Sequence, residues 1–225
     1  MPWGQLTPRL RKKTLSKESD RHREGLPPDC SGLVDLGRLR RVLAALPANA
    51  WHGDEPGVQI ENPVEAAVLF PIVLREKGTT VLLTQRTAHL RDHAGQISFP
   101  GGQAESGDLS PTHTALREAE EEIGLSSAHV EVVGTLPEYL TVTGYRITPV
   151  VAFLTPPFSI RPDPSEVAEV FEVPLAFLMN PENHQRQSRE IQGETRNFFA
   201  MPYGRHFIWG ATAGIIVSLA RALAL

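Results

Sequence analysis

Residues 101–125, GGQAESGDLSPTHTALREAEEEIGL, decide the fold of this chain. Their second half predicts a helix from about Pro111 to Ile123. Ser110 is a good N-cap, a proline is well tolerated in the first helical turn, and Gly124 suits the position that ends a helix. The two glycines and the polar residues ahead of Ser110 predict a loop that enters this helix. The Gly101-Gly102 turn permits unusual backbone angles and close approach of a ligand.

The carboxylates of the predicted helix fall into a pattern. At about 100° per residue, Glu118, Glu121 and Glu122 share one face and Glu120 points elsewhere. A different face, suited to packing against a sheet, is made by Thr112, Leu116, Ala119 and Ile123. Like charges on one face repel, and a hard divalent cation such as Mg²⁺ or Mn²⁺ removes that cost while keeping water positions for a phosphate. The alternative is a solvated glutamate-rich face, which is the default for EAEEE in an arbitrary helix.

The composition excludes several classes of protein. The chain has 225 residues, 41% of them hydrophobic, with one cysteine and a net charge of −4. A lone Cys30 excludes an internal disulfide framework and a multi-thiolate zinc site. The charge argues against non-specific nucleic-acid binding. The longest apolar stretch, residues 208–225, is interrupted and shorter than the ~20 residues that cross a bilayer. We therefore expect a cytoplasmic protein with neither nucleic-acid nor membrane partners.

The remaining sequence predicts an α+β fold with a mixed sheet flanked by helices. Residues 1–30 are basic and polar and are expected to form a mobile tail, and residues 31–59 hold a helix at 34–46 and a loop. Strands are expected at 66–74, 79–84, 130–136 and 147–154, with a long loop at 86–107. A strand and a short helix are expected within 167–179, a hairpin at 195–209 and a helix at 211–223.

The run Arg117-Glu-Ala-Glu-Glu-Glu-Ile-Gly-Leu125 resembles the core signature of the Nudix hydrolase family, and it matches every position of that core. The resemblance implies that Glu118, Glu121 and Glu122 bind the metal, and that Glu118, Glu121 and Arg117 are catalytic, with Arg117 orienting a carboxylate. One position departs. Asp108 stands where the family has Glu, and the loop is one residue longer than the usual spacing from Gly102, so the resemblance assigns Asp108 no role.

The preceding segment, Leu82 to Gly102 (LLTQRTAHLRDHAGQISFPGG), resembles the motif ahead of this signature in coenzyme A pyrophosphatases. Thr87 is a mild departure, since Ser or Ala is usual there. Three downstream segments, at 141–153, 166–178 and 207–216, are also similar to that subfamily. The resemblance covers about residues 60–225, and it implies a Nudix domain over that range, an α/β/α sandwich with a loop–helix–loop catalytic box.

The subfamily resemblance implies metal-dependent hydrolysis of coenzyme A or its thioesters to adenosine 3′,5′-bisphosphate and 4′-phosphopantetheine. Arg86 and Arg91 are candidate substrate residues because arginine binds phosphate in bidentate fashion. Gly101, Gly102 and Tyr145 complete the predicted substrate-binding set. The alternatives are that either arginine pairs with a carboxylate and that Tyr145 has a packing or turn role.

Several questions stay open at this level. Glu166 is favoured as a further metal ligand over Glu169 and Glu138, against the alternative of an ordinary charged loop. A Nudix hydrolase for NADH or ADP-ribose is a second hypothesis, and a non-catalytic Nudix-like binding module is a third. The helices at 34–46 and 211–223 each either cover the core or form the surface of a homodimer.

Overall fold

A computed structural model describes residues 35–46, 51–53, 60–90, 93–191 and 194–224 of the chain. The basic tail at 1–30, Cys30 and Arg91 lie outside the described residues. The predictions for them therefore stay predictions.

Four α-helices and twelve β-strands make up the described part of the chain. The helices are α1 (Leu36–Ala45), α2 (Pro111–Ile123), α3 (Leu175–Met179) and α4 (Ala211–Ala224). The strands are β1 (Trp51–Gly53), β2 (Val64–Arg75), β3 (Gly78–Arg86), β4 (Ile97–Ser98), β5 (Gly101–Gln103), β6 (Val130–Thr135), β7 (Glu138–Leu140), β8 (Tyr145–Leu154), β9 (Val167–Pro174), β10 (Gln185–Ile191), β11 (Glu194–Tyr203) and β12 (His206–Trp209).

Among the described residues, β1–β9 form one mixed sheet and β10–β12 form a second, antiparallel one. In the large sheet β2 runs parallel to β8 and antiparallel to β3. The sheet divides along β2, because Ile72–Arg75 pair with β3 whereas Ala66–Val68 pair with β5. Farther along β3, Thr84 and Gln85 pair with β4, while β9 pairs with β3 from Thr80 to Arg86. This division creates the opening beside which α2 lies.

Helices cover both faces of the large sheet, which confirms the predicted α+β fold. One face packs against α2 through Ala115, Ala119 and Ile123. The other packs against α1, α3, α4 and the small sheet. Ten residues of α4 are buried, as are Leu39 and Leu43 of α1, so both helices cover the core. The homodimer stays a prediction. No described helix has both the length and the apolar character to cross a bilayer.

The structure corrects the sequence-based expectations in the loops. The predicted loop at 86–107 contains β4 and β5, and the loop predicted within residues 31–59 contains β1. β7 and β10 were also missed. These strands are short or polar and show no alternation of apolar residues, so they form through pairing with distant segments. On α2 the packing face is centred on Ala115 and Ala119, whereas Thr112 and Leu116 lie at its edge and are only partly buried.

Candidate active site

Helix α2 is held at both ends as the sequence predicts. The Ser110 side chain accepts a hydrogen bond from the His113 backbone N–H at 3.2 Å, and Pro111 follows. Gly124 adopts the left-handed conformation (φ 63°) and donates its N–H to the last turn. Because both ends are set, the rotation of the helix about its axis is set too, and with it the direction of each carboxylate.

The three glutamates of the box differ strongly in burial. The side chain of Glu122 is 4% exposed, that of Glu118 is 17% exposed and that of Glu121 is 60% exposed. The sequence analysis placed them together on a face separate from the packing face. The structure instead puts Glu122 on the packing face, Glu118 at its margin and Glu121 in solvent.

Glu122 is a buried carboxyl group at the division of the sheet. Its Oε2 accepts a hydrogen bond from the Gly101 backbone N–H at 3.1 Å, and its Oε1 lies 3.4 Å from Nη1 of Arg86. Burial raises the pKa of Glu122 to about 7, the charges of Glu118 and Glu166 add to the rise, and the Gly101 N–H and Arg86 oppose it.

The two glycines, Gly101 and Gly102, belong to β5, and other atoms of the chain lie where their side chains would be. A Cβ on Gly102 would lie 2.5 Å from Oε1 of Glu118, and a Cβ on Gly101 would lie 2.4 Å from the carbonyl oxygen of Ala67. The lack of side chains at these positions lets β5 pass between α2 and β2. Burial raises the pKa of Glu118 as well, and Arg117 opposes that rise.

Arg117 binds several parts of the box at once. Its guanidinium donates to Glu121 at 2.8 Å and lies 3.1 Å from Oε1 of Glu118. It also donates to the carbonyl oxygen of Gln103 and to both oxygens of Asp108. Arg117 therefore contacts three carboxylates and joins the entering loop to the helix, and its catalytic role stays a prediction.

Asp108 is the residue that sequence reasoning missed. Its side chain is 4% exposed and accepts two bonds from Arg117, at 3.1 and 3.0 Å. It also accepts bonds from Thr114 Oγ1, the Glu105 N–H and the His113 ring, each at 2.9 Å. The Arg117 contact, followed by the others, holds the pKa of Asp108 well below its usual range. One sequence feature could have identified Asp108, namely an Asp close to the N-cap of a helix that contains a single arginine.

Of the three candidates for a downstream ligand, Glu166 is the one whose charge acts on Glu118 and Glu122, and its role as a metal ligand stays a prediction. It ends the loop before β9, where its carbonyl oxygen accepts from the Thr87 N–H at 2.8 Å, and its charge raises the pKa of both Glu118 and Glu122. Glu169 instead binds Arg205 and His206, at 2.5 and 3.3 Å. Glu138 lies 3.7 Å from Arg146.

Of the predicted substrate residues that the structure describes, Arg86, Gly101 and Gly102 lie at the carboxylates and Tyr145 lies apart from them. Arg86 lies beside Glu122, so the alternative of an arginine paired with a carboxylate is what the structure shows, and its buried Nε has no hydrogen-bond partner among the described residues. Tyr145 begins β8 opposite Val64. Strand alternation puts it on the face of Ile147 and Val151, opposite α2. Its role in a substrate pocket stays a prediction.

A family model described as the NUDIX domain matches residues 64–192. The chain belongs to the Nudix family. NudL of Escherichia coli strain K12, described as an uncharacterized Nudix hydrolase, is 45% identical over 159 residues, which cover 71% of this chain and 82% of NudL. Among solved structures, RenU, a Nudix hydrolase from M. smegmatis, is 26% identical with a TM-score of 0.43, covering 56% of this chain and 80% of RenU.

A further solved structure, a MutT/nudix family protein from Enterococcus faecalis, is 15% identical with a TM-score of 0.44, covering 74% of this chain and 63% of that one. The Nudix family places this chain among hydrolases that act on the pyrophosphate bond of small nucleotide-type substrates. Nudix hydrolases generally use divalent metal ions.

The residues of this Nudix site fit such an ion. Glu118, Glu122 and Glu166 offer carboxylate oxygens, which Mg²⁺ and Mn²⁺ prefer, and their mutual repulsion is relieved by a cation. Within the described ranges, no three acidic, histidine or cysteine side chains already form a complete set of metal ligands. Arg86 and Arg117 instead contact the carboxylates, and these contacts supply the positive charge that the cluster requires.

Replacing Asp108 with asparagine tests whether this residue anchors the box. The bonds that lower the pKa of Asp108 favour the folded state above the carboxyl's ordinary pKa of 3.8, and this stabilisation is lost as the pH falls below that value. We expect Asp108→Asn to lower the urea midpoint at pH 7. We also expect it to lose less stability than the wild type when the pH falls from about 5 to about 3. Equal pH dependence of the two proteins would contradict the role, and Glu105→Gln, at an exposed position of the same loop, is the control.

Replacing Glu122 with glutamine tests its burial in the metal-free Nudix domain. A carboxyl whose pKa is raised on folding favours the folded state at low pH, and the folded state loses free energy as the pH rises from about 4.5 to about 7. In EDTA we expect Glu122→Gln to be the more stable protein at pH 8, by at most about 3 kcal/mol, with the advantage disappearing below about pH 4.5. Urea unfolding measures it. The control Glu121→Gln, at a solvated position, should show no such pH dependence. A stability difference between Glu122→Gln and the wild type that does not change with pH would contradict the prediction.

Proposed function

We propose that this Nudix hydrolase cleaves the pyrophosphate bond of coenzyme A or its thioesters, giving adenosine 3′,5′-bisphosphate and 4′-phosphopantetheine or its acyl form. One observation carries the proposal, namely that the two sequence motifs meet in space. Arg86 of the upstream motif contacts Glu122 of the box, and Gly101 and Gly102, which end that motif, adjoin Glu122 and Glu118. The segment that resembles coenzyme A pyrophosphatases therefore forms one wall of the carboxylate cluster.

Glu118, Glu121, Glu122 and Glu166 would hold the divalent cation, with Glu121 on the solvent side. Bound there, Mg²⁺ or Mn²⁺ supplies charge neutralisation at the pyrophosphate and Lewis-acid activation of water. Glu122 enters this arrangement from a buried position, so its carboxylate has few rotamers available. The chain thereby presents oxygen ligands whose positions are set before any substrate arrives.

The chain's own side chains would orient the reactants. Arg117, held by Asp108, fixes Glu118 and Glu121 relative to each other. One of these two carboxylates takes the proton of the attacking water, Glu121 from the solvent side or Glu118 from the enclosed side. Arg86 has a buried Nε without a described partner and is oriented toward the cluster, so it can donate to a phosphate oxygen of the substrate.

A substrate panel tests the proposed specificity. Purified protein with Mg²⁺ or Mn²⁺ is given coenzyme A, an acyl thioester, dephospho-coenzyme A, NADH and ADP-ribose, and the products are identified by mass. We expect the highest kcat/KM for coenzyme A compounds and the two products named above. Preference for NADH or ADP-ribose would overturn the substrate and favour another nucleotide-hydrolysing Nudix activity. Binding without hydrolysis of any compound would favour a non-catalytic module.

The pair Glu166→Gln and Glu169→Gln tests the downstream ligand. The charge of Glu166 raises the pKa of Glu118 and Glu122, whereas Glu169 is bonded to Arg205 and His206. Loss of one carboxylate from a metal site is expected to weaken Mn²⁺ binding by about 10-fold or more. We expect this loss, together with reduced turnover, for Glu166→Gln and near-normal values for Glu169→Gln. Isothermal titration with Mn²⁺ measures affinity directly, and the reverse ranking would contradict the assignment.

A further inference from the structure

A cleft of about 410 Å³ opens at the carboxyl end of α2, beyond the carboxylate cluster. Two side chains that can carry positive charge, Arg161 and His129, lie at this cleft with the hydroxyl groups of Ser126 and Ser159. The ring of Phe158 forms an apolar wall. The cleft therefore combines hydrogen-bond donors, a cation and one flat apolar surface, and no carboxylate side chain lines it.

Arg161 differs from the arginines of the box and the sheet. Arg75, Arg86 and Arg117 each pair with a carboxylate, whereas the guanidinium of Arg161 has no ion-pair or hydrogen-bond partner among the described residues. The nearest acid along the chain, Asp163, accepts bonds from the N–H and hydroxyl of Ser165, at 2.8 and 2.7 Å. A guanidinium without a carboxylate partner is available for an anion from outside.

The backbone around the cleft is fixed to the catalytic helix. The Arg161 N–H donates to the carbonyl oxygen of Ile123 at 2.7 Å, and the Asp163 N–H donates to that of Glu122 at 2.9 Å. These bonds place two N–H groups against carbonyls of the last helical turn and reduce, without removing, the negative potential that disfavours an anion there. A Cβ on Gly124 would lie 3.1 Å from the Arg161 Cβ, so glycine at this position permits the close approach.

The wall formed by Phe158 is rigid. Its ring packs against the core on the α2 side, and the guanidinium of Arg75 lies 5.4 Å from the ring centroid. The volume is of the order found for small-molecule sites, about 300–1,000 Å³, which exceeds what a phosphate ion fills. A phosphate joined to a sugar or a base would place its charge at Arg161 and its flat part at Phe158.

We propose that this cleft is a binding site for a phosphate monoester, with Arg161 and His129 holding the phosphate and Phe158 contacting the attached sugar or base. The phosphate has two possible sources. It is either a second phosphate of the substrate itself, a version that rests on the proposed function, or it belongs to a separate phosphorylated ligand. Gly124 lies two residues beyond Glu122, about 3 Å along the helix axis, so either ligand would contact the end of the catalytic helix.

Direct binding tests the site independently of catalysis. Adenosine 3′-monophosphate and adenosine are titrated by NMR in EDTA, so that metal at the carboxylate cluster does not recruit the phosphate. We expect the monophosphate to bind the wild type, Arg161→Ala to weaken this binding by about tenfold or more, and adenosine to bind weakly to both. Ser159→Glu, which puts a carboxylate into the cleft, should also weaken it. Arg186→Ala, at an exposed arginine on β10, is the control.

Equal affinity of the wild type, Arg161→Ala and Ser159→Glu for the monophosphate would overturn the site. Truncation at Arg161 leaves its backbone bonds to α2 in place, and urea unfolding checks that each variant is folded. This measurement does not depend on turnover. The binding result can therefore be interpreted even if the substrate panel contradicts the proposed function.

Kinetics then distinguish the two sources. If the phosphate is part of the substrate, Arg161→Ala raises KM for coenzyme A but not for dephospho-coenzyme A, which lacks the 3′-phosphate. If the ligand is separate, the variant treats both compounds alike. Added adenosine 3′-monophosphate then changes the rate with dephospho-coenzyme A in the wild type but not in Arg161→Ala.

Discussion

The hydrogen bond from the Gly101 backbone N–H to Glu122 ties the catalytic helix to the place where the sheet divides. Together with the bond from Arg117 to the Gln103 carbonyl oxygen, it fixes how α2 is rotated against β5. The bond also leaves a carboxyl group almost without solvent, and burial raises its pKa to about 7. The structure therefore holds a group that favours a proton or a cation at the centre of the proposed site.

A second constraint sets the other carboxylates. Asp108 and Arg117 form a buried bidentate pair, and Arg117 extends from it to Glu118 and Glu121. The departure from the family signature at Asp108 therefore has a structural explanation in its local contacts. A shorter acidic side chain follows a longer loop, and the pair still forms because Thr114 and the Glu105 N–H complete the bonding of Asp108. The network places the helix, the entering loop and two acidic groups in one rigid unit.

Much of the fold could be predicted from the chain. The end signals of α2 and the continuous apolar runs of β2, β3, β8 and α4 are local, and each of these elements forms as expected. β1, β5 and β10 could not be predicted, because their residues carry no periodicity and their pairing depends on partners far along the chain. Similarly, helical spacing grouped Glu118, Glu121 and Glu122, but only packing against the sheet distinguishes the buried one from the solvated one.

By itself the sequence determined the helices and the long apolar strands, the Nudix signature and the residue types of the site, because these depend on apolar runs, on spacing along one helix and on local end signals. Tertiary structure decided that Glu169 pairs with Arg205 whereas the charge of Glu166 acts on Glu122, since the two lie only three residues apart and diverge at the start of β9. It also decided that Asp108 anchors Arg117 and that Arg86 contacts Glu122. These contacts join residues from different elements, and their distances follow from how the sheet divides and how α2 rests upon it.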